Sequence, residues 1–340
     1  MAANDAVRRS VVLKRRPSGE LRASDFEMRE DEIPVPGPGE IVTRTIFLSI
    51  DPYMRGRLRE EQTYAVAIQV GEVMTGETVG EVIASNHPGY VAGDIVVGPR
   101  GWQTHAVAKG DNVVKVPRGG APLATWLGTL GMPGATAYAG ITEICKPKPG
   151  ETVVISAASG AVGSVAGQLA KRAGARVVGI AGGPEKCLWV QDTLGFDACV
   201  DHRAYDLAGD LKAECPDGID AYFENVGGAV QAAVFGQLNR FARVAMCGMV
   251  SQYNDDEFPA GPNLGFVVGK AVTIQGFIVS DRPARIVEWR KLAAPLIVSG
   301  ELIHREDIHE GLDRAPEALA GILTGQNFGK LLIRVGPDPI

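Results

Sequence analysis

The sequence predicts an α/β fold in which a doubly wound parallel sheet is inserted into a β-rich domain. Residues 153–163, VVISAASGAVG, pass from an apolar, β-branched run through small residues into a helical pattern. After about residue 130 strand and helix patterns alternate, whereas the earlier part holds short β-rich segments separated by turns such as PVPGPGE and NHPGYVAGD. Alternation predicts a parallel sheet covered by helices, and short strands between proline- and glycine-rich turns predict a twisted, partly barrel-like β domain.

Length and charge narrow the classes of protein to consider. The chain has 340 residues. A single hydrophobic core rarely stabilises a chain of this length, so two domains are expected. Charged residues make up 22% of the chain and the net charge is −6, with no basic tract. Neither nucleic acid nor an anionic membrane is therefore an expected partner.

The five cysteines are scattered, at positions 145, 187, 199, 215 and 247, and no C-x-x-C motif occurs. This spacing fits reduced thiols in the cytosol and argues against a disulfide framework or a cysteine-rich metal site. The N-terminal segment lacks the apolar core of a signal peptide, and no apolar run of about 18 residues follows it. We therefore expect a cytoplasmic location.

The β-rich part opens with strand-like segments at residues 41–48, 81–84 and 95–97. The chain returns to mixed structure from about Glu301 and ends in a strand-like segment at residues 330–335. We interpret this tail as rejoining the first domain. The predicted domains are residues 1–130 with 302–340, the β-rich substrate domain, and residues 131–301, the nucleotide-binding domain.

The strand at residues 153–156 leads into the small-residue pattern of a dinucleotide-binding turn. Ala158, Gly160 and Gly163 take the three small positions of G-x-G-x-x-G, with alanine in place of the first glycine. In this Rossmann fingerprint the glycines let the backbone approach a pyrophosphate, which the helix N-terminus then faces. Gly174 ends the helix as a C′ residue. The pattern predicts dinucleotide binding, and its alternative is a glycine-rich turn in an ordinary α/β protein.

The end of the second strand, Arg176–Ala181, favours NADP over NAD. Units that bind NAD usually carry an acid there for the ribose 2′-hydroxyl, whereas this chain continues with Gly182, Gly183 and a proline. The missing acid leaves room for a 2′-phosphate, and Lys186 supplies a cation for it. The alternative for Lys186 is a solvated side chain at a helix start, because the preceding glutamate reduces the local positive field.

Six candidate parallel strands complete a doubly wound dinucleotide-binding domain. They are residues 153–156, 176–181, 198–200, 221–224, 242–247 and 272–277.

Several sequence motifs together resemble one superfamily nearly end to end and in its order. They are LSIDPYMRGR (48–57), GEVMTGETVGEV (71–82), LGTLGMPGATAY (127–138), AASGAVGS (157–164), GIAGGPEK (179–186), AYFENVGG (221–228), CGMVSQYN (247–254) and NFGK (327–330). The chain resembles the medium-chain dehydrogenase/reductases, and within them the zinc-independent prostaglandin reductase (leukotriene hydroxydehydrogenase) and NADPH-dependent curcumin and 2-alkenal reductase branch. The resemblance implies a Rossmann sheet inserted into a GroES-like, β-rich catalytic domain.

The ligands of a catalytic zinc are not expected in this chain. Zinc members of the superfamily need about three protein ligands and an open position. Here the segment that should carry a cysteine reads LSIDPYMRG, and the expected Gly-His-Glu reads Thr75-Gly76-Glu77, without the histidine. We expect no metal, and we interpret Glu77 as an acid left in the scaffold.

The resemblance also implies positions for the cofactor. The pyrophosphate residues are Gly160, Ala161, Val162 and Gly163, and the residues near the 2′-phosphate are Gly182, Lys186 and His202, the last standing where some relatives carry tyrosine. The nicotinamide residues are Asn225, Cys247, Gly248, Ser251 and Tyr253, with backbone groups of Phe277, Ile278 and Val279, and Asn327 closes the site. An isolated histidine is more often structural, so the 2′-phosphate contacts of His202 stay open.

Without a metal or flavin, a reductase must act on an acceptor that conjugation or hydrogen bonding activates. An α,β-unsaturated carbonyl meets this need, because hydride adds to the β carbon and charge moves onto the carbonyl oxygen. Tyr253 could donate to that oxygen, or could only pack against the cofactor ribose. Tyr53, Tyr64 and Met132 match positions that face a substrate, although each could equally be a core residue.

The sequence leaves three functions open. The first is an NADPH-dependent reductase of alkenals, enones or curcumin-like dienones. The second is a quinone reductase of the same superfamily, and the third is a non-catalytic nicotinamide-binding sensor. The resemblance implies a homodimer that pairs through the nucleotide domain, with the apolar stretch 265–277 as a candidate edge.

Overall fold

A computed structural model describes residues 7–60, 66–257 and 259–339. The chain divides into two compact units. The β-rich unit comprises Met1–Leu127, Glu306–Asn327 and Leu331–Ile340, and the nucleotide unit comprises Gly128–Arg305 and Phe328–Lys330. The short segment Phe328–Lys330 thus belongs to the nucleotide unit although the chain on both sides of it belongs to the β-rich unit.

The β-rich unit is built mainly from antiparallel strands. Its elements are β1 (Arg8–Leu13), β2 (Phe26–Asp31), β3 (Glu40–Ser49), β4 (Glu77–Ser85), β5 (Ile95–Pro99), β6 (His105–Lys109) and β7 (Val114–Lys115). The long strand β3 pairs antiparallel with both β4 and β6, and β4 pairs antiparallel with β5. Two irregularities in the β3–β4 register bend the sheet, as β-bulges do. The resulting core includes Ile46, Val79 and Leu332.

The nucleotide unit follows the predicted alternation of strands and helices. Its elements are α1 (Met132–Ala139), β8 (Thr152–Ser156), α2 (Gly163–Arg172), β9 (Arg176–Ala181), α3 (Pro184–Asp192), β10 (Ala198–Asp201), α4 (Leu207–Glu214), β11 (Ile219–Glu224), α5 (Gly228–Phe235), β12 (Leu238–Met246), α6 (Gly265–Lys270), β13 (Thr273–Gly276) and α7 (Pro283–Val298). A π-helical turn, Gly140–Cys145, continues α1.

The C-terminal elements return to the β-rich unit. They are β14 (Glu306–Glu310), α8 (Ala315–Leu323) and β15 (Lys330–Arg334). Strand β15 pairs antiparallel with β3, so the end of the chain completes the seven-stranded sheet of the first half.

The six strands of the nucleotide unit form one parallel sheet in the order β10-β9-β8-β11-β12-β13. This is the doubly wound order 3-2-1-4-5-6, in which the direction of winding reverses between the first and the fourth strand. Ligands bind such sheets outside the carboxyl ends of the strands at that reversal, which here lies between β8 and β11. The predicted fold class is confirmed.

Helix α2 packs closely against the sheet because its inner face carries small residues. Gly167 faces Phe196, and both are buried. Gly174 has φ +84° and follows the end of α2, as the sequence predicted. No helix in the described parts of the chain combines the length and the apolar character that a membrane span requires.

We expect Gly167→Ala to lower the melting temperature measured by circular dichroism. A methyl group at Gly167 would lie 1.7 Å from Cζ of the buried Phe196, and such overpacking costs about 1–3 kcal/mol of unfolding free energy. The matched control is Gly269→Ala in α6, where no neighbouring atom lies within 4 Å. Alanine favours a helix over glycine by about 1 kcal/mol, so the control should melt no lower than the parent. A Gly167→Ala variant that melts with the parent would contradict this packing.

Candidate cofactor and active site

The turn after β8 has the geometry of a phosphate-binding loop. Ala157 adopts φ +49°, and a Cβ on Gly163 would lie 2.2 Å from the Ala157 carbonyl oxygen, so that position requires glycine. The backbone N–H of Ala158 donates to the carbonyl of Ile180 in the neighbouring strand at 3.0 Å. The turn is thereby fixed to the sheet. The Gly160 carbonyl accepts the Ser164 N–H at 3.0 Å, and α2 begins directly after the turn, so that its N-terminus favours an anion there.

The alanine at the first small position of the fingerprint has a packing explanation. Ala158 is fully buried, and a Cβ added to Gly179 of β9 would lie 2.9 Å from the Ala158 methyl group. The glycine of this contact is Gly179 in β9 rather than residue 158, so the turn after β8 and strand β9 can still approach each other closely. Ala161 and Val162 occupy the outer part of the turn and are half-buried.

A C-terminal segment supports this turn, and that contact was not predicted from the sequence. The N–H of Gly329 donates to the carbonyl of Ser159 at 3.1 Å, and Gly329 has φ +92°. The neighbouring Phe328 ring packs edge-on against Trp189, with centroids 5.2 Å apart, and lies 3.9 Å from the guanidinium carbon of Arg305. This explains why Phe328–Lys330 belongs to the nucleotide unit.

Glycines and cations line the turn between β9 and α3. A Cβ on Gly182 would lie 2.8 Å from Nε2 of His202 and 3.1 Å from Nε of Arg203. Gly183 has φ +94° and begins α3, on which Lys186 is half-buried. The predicted residues Gly182 and His202 are therefore neighbours, Arg203, which sequence analysis missed, lies beside them, and the charge of Lys186 acts on His202.

Asp201 holds two backbone segments of this turn together. One of its oxygens, Oδ1, accepts the N–H of Gly183 at 2.8 Å and that of Arg203 at 3.0 Å. Burial opposes ionisation of Asp201, yet these hydrogen bonds and the charges of His202 and Arg203 hold its pKa below the usual value. Desolvation and the charge of Arg203 lower the pKa of His202, so its ring is neutral at neutral pH.

A buried polar network joins the carboxyl ends of β8 and β11. The side-chain amide of Asn225 donates to the Ser156 carbonyl at 2.7 Å, and the Asn225 N–H donates to the Ser156 hydroxyl at 2.8 Å. That hydroxyl lies 3.2 Å from Oε1 of Glu224, which is fully buried. Asn225 is thereby fixed beside the phosphate turn.

The predicted nicotinamide residues lie together at the ends of β11 and β12. The N–H groups of Cys247 and Gly248 donate to the Glu224 carbonyl at 2.9 and 3.1 Å. Ser251 donates through its hydroxyl to the Val226 carbonyl at 2.6 Å. The Tyr253 hydroxyl accepts a 3.4 Å contact from the Met249 N–H, and a Cβ on Gly248 would lie 2.9 Å from it.

The thiol of Cys247 is protonated in this environment. Burial, reinforced by the negative charge of Glu224, raises the pKa of Cys247 to about 12. At neutral pH this thiol is not a nucleophile, because only the thiolate reacts.

Phe277, Ile278 and Val279 follow the end of β13. The Phe277 ring packs edge-on against Phe223 with centroids 6.1 Å apart, and a Cβ on Gly140 would lie 2.9 Å from it. The π-helical turn that starts at Gly140 thus accommodates this ring, while Val279 is buried. These contacts fix the backbone that we expect to face the carboxamide.

The remaining predicted residues are distributed over both units. Met132 begins α1 in the nucleotide unit and is half-buried. Tyr53 lies in the β-rich unit, 5.5 Å from the Arg57 guanidinium, and Asn327 ends a segment of the same unit. Tyr64 lies outside the described residues.

Glu77 lies beside a buried arginine of the β-rich unit. Arg100 donates to the Thr78 hydroxyl at 2.7 Å and to the Val96 carbonyl at 3.0 Å. Burial lowers the pKa of Arg100 to about 9, which the charge of Glu77 partly opposes. Among residues 7–60, 66–257 and 259–339, no group of three or more histidine, cysteine, aspartate or glutamate side chains is placed to hold a metal ion.

Two protein families match the chain. Residues 9–116 match the family described as the N-terminal domain of oxidoreductase, and residues 161–299 match the family described as zinc-binding dehydrogenase. The first match falls in the β-rich unit and the second in the nucleotide unit.

Individual proteins are similar to the chain over its whole length. It is 46% identical to the NADPH-dependent curcumin reductase of Escherichia coli (strain K12), over 97% of each chain. It is 39% identical to the NADP(+)-dependent 2-alkenal reductase of Nicotiana tabacum, over 99% of this chain and 100% of that protein. The solved structure of CurA from Vibrio vulnificus in complex with NADPH matches with a TM-score of 0.92 and 42% identity, covering 97% of this chain and 100% of that one. The chain therefore belongs to the medium-chain dehydrogenase/reductase superfamily, in the branch that contains these reductases.

Proposed function

We propose that this chain is an NADPH-dependent reductase of the C=C bond of α,β-unsaturated carbonyl compounds, such as 2-alkenals, enones and curcumin-like dienones. Full-length identity of 46% to a curcumin reductase and 39% to a 2-alkenal reductase supports this substrate class. The strongest support is the position of three features at the carboxyl edge of one parallel sheet. They are the phosphate turn, the cation-lined turn after β9 and Tyr253.

The residues present fit NADPH. The glycine at position 163 lets the turn after β8 close tightly, as a pyrophosphate-binding turn requires, and Gly182 lies beside His202 and Arg203, where we place the 2′-phosphate. Asn225 is held by two hydrogen bonds to Ser156 on the side where we place the nicotinamide. When bound, the cofactor supplies a hydride for the β carbon of the substrate.

We assign the stabilisation of the developing enolate to Tyr253. A phenol hydroxyl can donate a proton, and Gly248 allows the Tyr253 hydroxyl to approach the backbone closely, because a Cβ at that position would lie 2.9 Å from it. Such a donor is effective because it interacts more strongly with the charged transition state than with the neutral carbonyl.

We propose substrate-facing roles for Tyr53, Tyr64 and Met132, and cofactor contacts for Asn327. We also propose a cytoplasmic location, which the five free cysteines support. Fractionation of cells that express the tagged chain would test the location.

The first test is NADPH oxidation by the purified protein with a short 2-alkenal, a dienone and a quinone, and with NADH in parallel. We expect saturable turnover of the alkenal and dienone, faster with NADPH than with NADH. Turnover of quinone alone would make the chain a quinone reductase. Tight NADPH binding without turnover of any acceptor would indicate a sensor.

We expect Tyr253→Phe to lower kcat by about 100-fold, with little change in KM for NADPH, because it removes one donor to the developing oxyanion. The control is Tyr138→Phe, which removes a hydroxyl that hydrogen-bonds to Glu288 in the same unit at 2.9 Å. The control should leave both kinetic constants unchanged. A Tyr253→Phe variant with unchanged kcat and a raised KM for NADPH would instead assign the tyrosine to packing against the ribose.

We further propose that the chain forms a homodimer through the edge of its nucleotide unit. In the described part of the chain β13 ends the parallel sheet, and Leu264 and Val268 beside it are 55% and 86% exposed. An apolar groove between α5, α6 and β13 adjoins these side chains. An unpaired strand edge beside exposed apolar residues favours association with a second sheet.

Val268→Glu should shift the mass measured by light scattering from that of a dimer towards that of a monomer, because it places a charge in the proposed interface. Val287→Glu on α7, where the valine is 53% exposed, is the matched control and should leave the mass unchanged. A parent protein that is monomeric at micromolar concentration would contradict the proposed dimer.

A further inference from the structure

We propose that Arg203, in the turn after β10, recognises the ribose 2′-phosphate together with Lys186 and is a main determinant of the preference for NADPH over NADH. This inference rests on the NADPH dependence proposed above. It adds a residue that the glycine fingerprint does not indicate, because Arg203 lies on a different strand-to-helix connection from Gly182 and Lys186.

The position of the guanidinium supports this role. Nε of Arg203 lies 3.1 Å from the place where a Cβ on Gly182 would stand, and Nη1 lies 3.7 Å from the corresponding place on Gly183. The Arg203 side chain therefore lies beside the two consecutive glycines, Gly182 and Gly183. In a dinucleotide-binding sheet this is where the adenosine ribose lies, at the carboxyl end of the second strand.

Asp201 holds the backbone of Arg203 beside that of Gly183. Its Oδ1 accepts the N–H groups of both Gly183 and Arg203, at 2.8 and 3.0 Å, so one carboxylate oxygen connects the two turns. The backbone of Arg203 is thereby held at a constant distance from that of Gly183. The same bonds direct this oxygen towards the backbone, where it stabilises the turn.

Charge favours Arg203 over its neighbour His202 as the phosphate ligand. Desolvation and the charge of Arg203 lower the pKa of His202 and so disfavour its charged form, whereas a guanidinium stays charged at neutral pH. The charge of Arg203 helps to hold the pKa of Asp201 below its usual value, while Oδ1 of Asp201 is engaged by two backbone N–H groups. A guanidinium also presents paired donors that match two phosphate oxygens, whereas an ammonium acts as a point charge.

The test measures equilibrium binding of adenosine 2′,5′-bisphosphate and of adenosine 5′-monophosphate by calorimetry. These probes differ only in the 2′-phosphate. We expect Arg203→Ala to weaken the bisphosphate by about tenfold or more and the monophosphate by less than about twofold, since a hydrogen bond to a charged group is lost. Arg203→Lys should fall between the parent and the alanine variant. Arg240→Ala, which removes an exposed arginine at the opposite end of the sheet, should change neither affinity.

Either of two results would overturn the role of Arg203. One is unchanged bisphosphate affinity in Arg203→Ala, and the other is an equal loss for both probes, which would mean that the arginine only supports the turn. Melting temperatures of the variants show whether the fold is retained. Binding of NADPH to the parent separates this proposal from the preceding one: failure of the parent to bind NADPH contradicts the proposed function, whereas a parent that binds and an unaffected Arg203→Ala contradict only the role of Arg203.

Discussion

The candidate site depends on the hydrogen bonds that the buried carboxylate of Glu224 accepts. Its Oε1 accepts the N–H groups of Val226 and Gly227 at 2.7 and 3.0 Å and lies 3.2 Å from the Ser156 hydroxyl. These contacts shape the turn after β11 and join it to the end of β8, where the phosphate turn starts. Loss of one member of such a network is costly because it leaves buried polar groups without partners. The turn after β8 and the turn after β11, where we propose the phosphate and nicotinamide sides of the cofactor site, are thus joined by a fully buried group.

Much of the nucleotide unit could be predicted because its signals are local. Strands buried on both faces are continuous apolar runs, and the glycine that ends α2 occurs where a left-handed residue is needed. The first residues of β12 could not be predicted in this way. The strand begins at Leu238, earlier than the predicted residue 242. The polar residues Asn239 and Arg240 interrupt the apolar pattern there, and Phe241, with φ +67°, lies where the register with β11 shifts. Arg203 and Phe328–Lys330 were missed for a different reason. Their contacts are with segments that are distant in the sequence and become neighbours only in the folded chain.

The proposed substrate class places a chemical demand on the thiols around the site. Enones react with thiolates, so a cysteine near the nicotinamide would be alkylated by substrate if it ionised at neutral pH. The pKa of Cys247 is raised to about 12 by burial and by the charge of Glu224, which keeps the thiol protonated. Burial, with the charge of Glu224 as a second cause, therefore disfavours the reactive thiolate of a cysteine that we propose to lie near the nicotinamide.

Selection for a 2′-phosphate depends as much on what is missing from the turn as on its cations. A Cβ at Gly182 would lie 2.8 and 3.1 Å from His202 and Arg203, so a side chain there would have to displace those two side chains. The nearby acid, Asp201, is engaged by backbone N–H groups and stabilises the turn instead of facing the ribose. Because the cations come from two connections, Lys186 on α3 and Arg203 after β10, they are placed together only when β10 pairs with β9. With the roles that we propose for Lys186 and Arg203, cofactor preference depends on the sheet order, and neither strand-to-helix connection accounts for it alone.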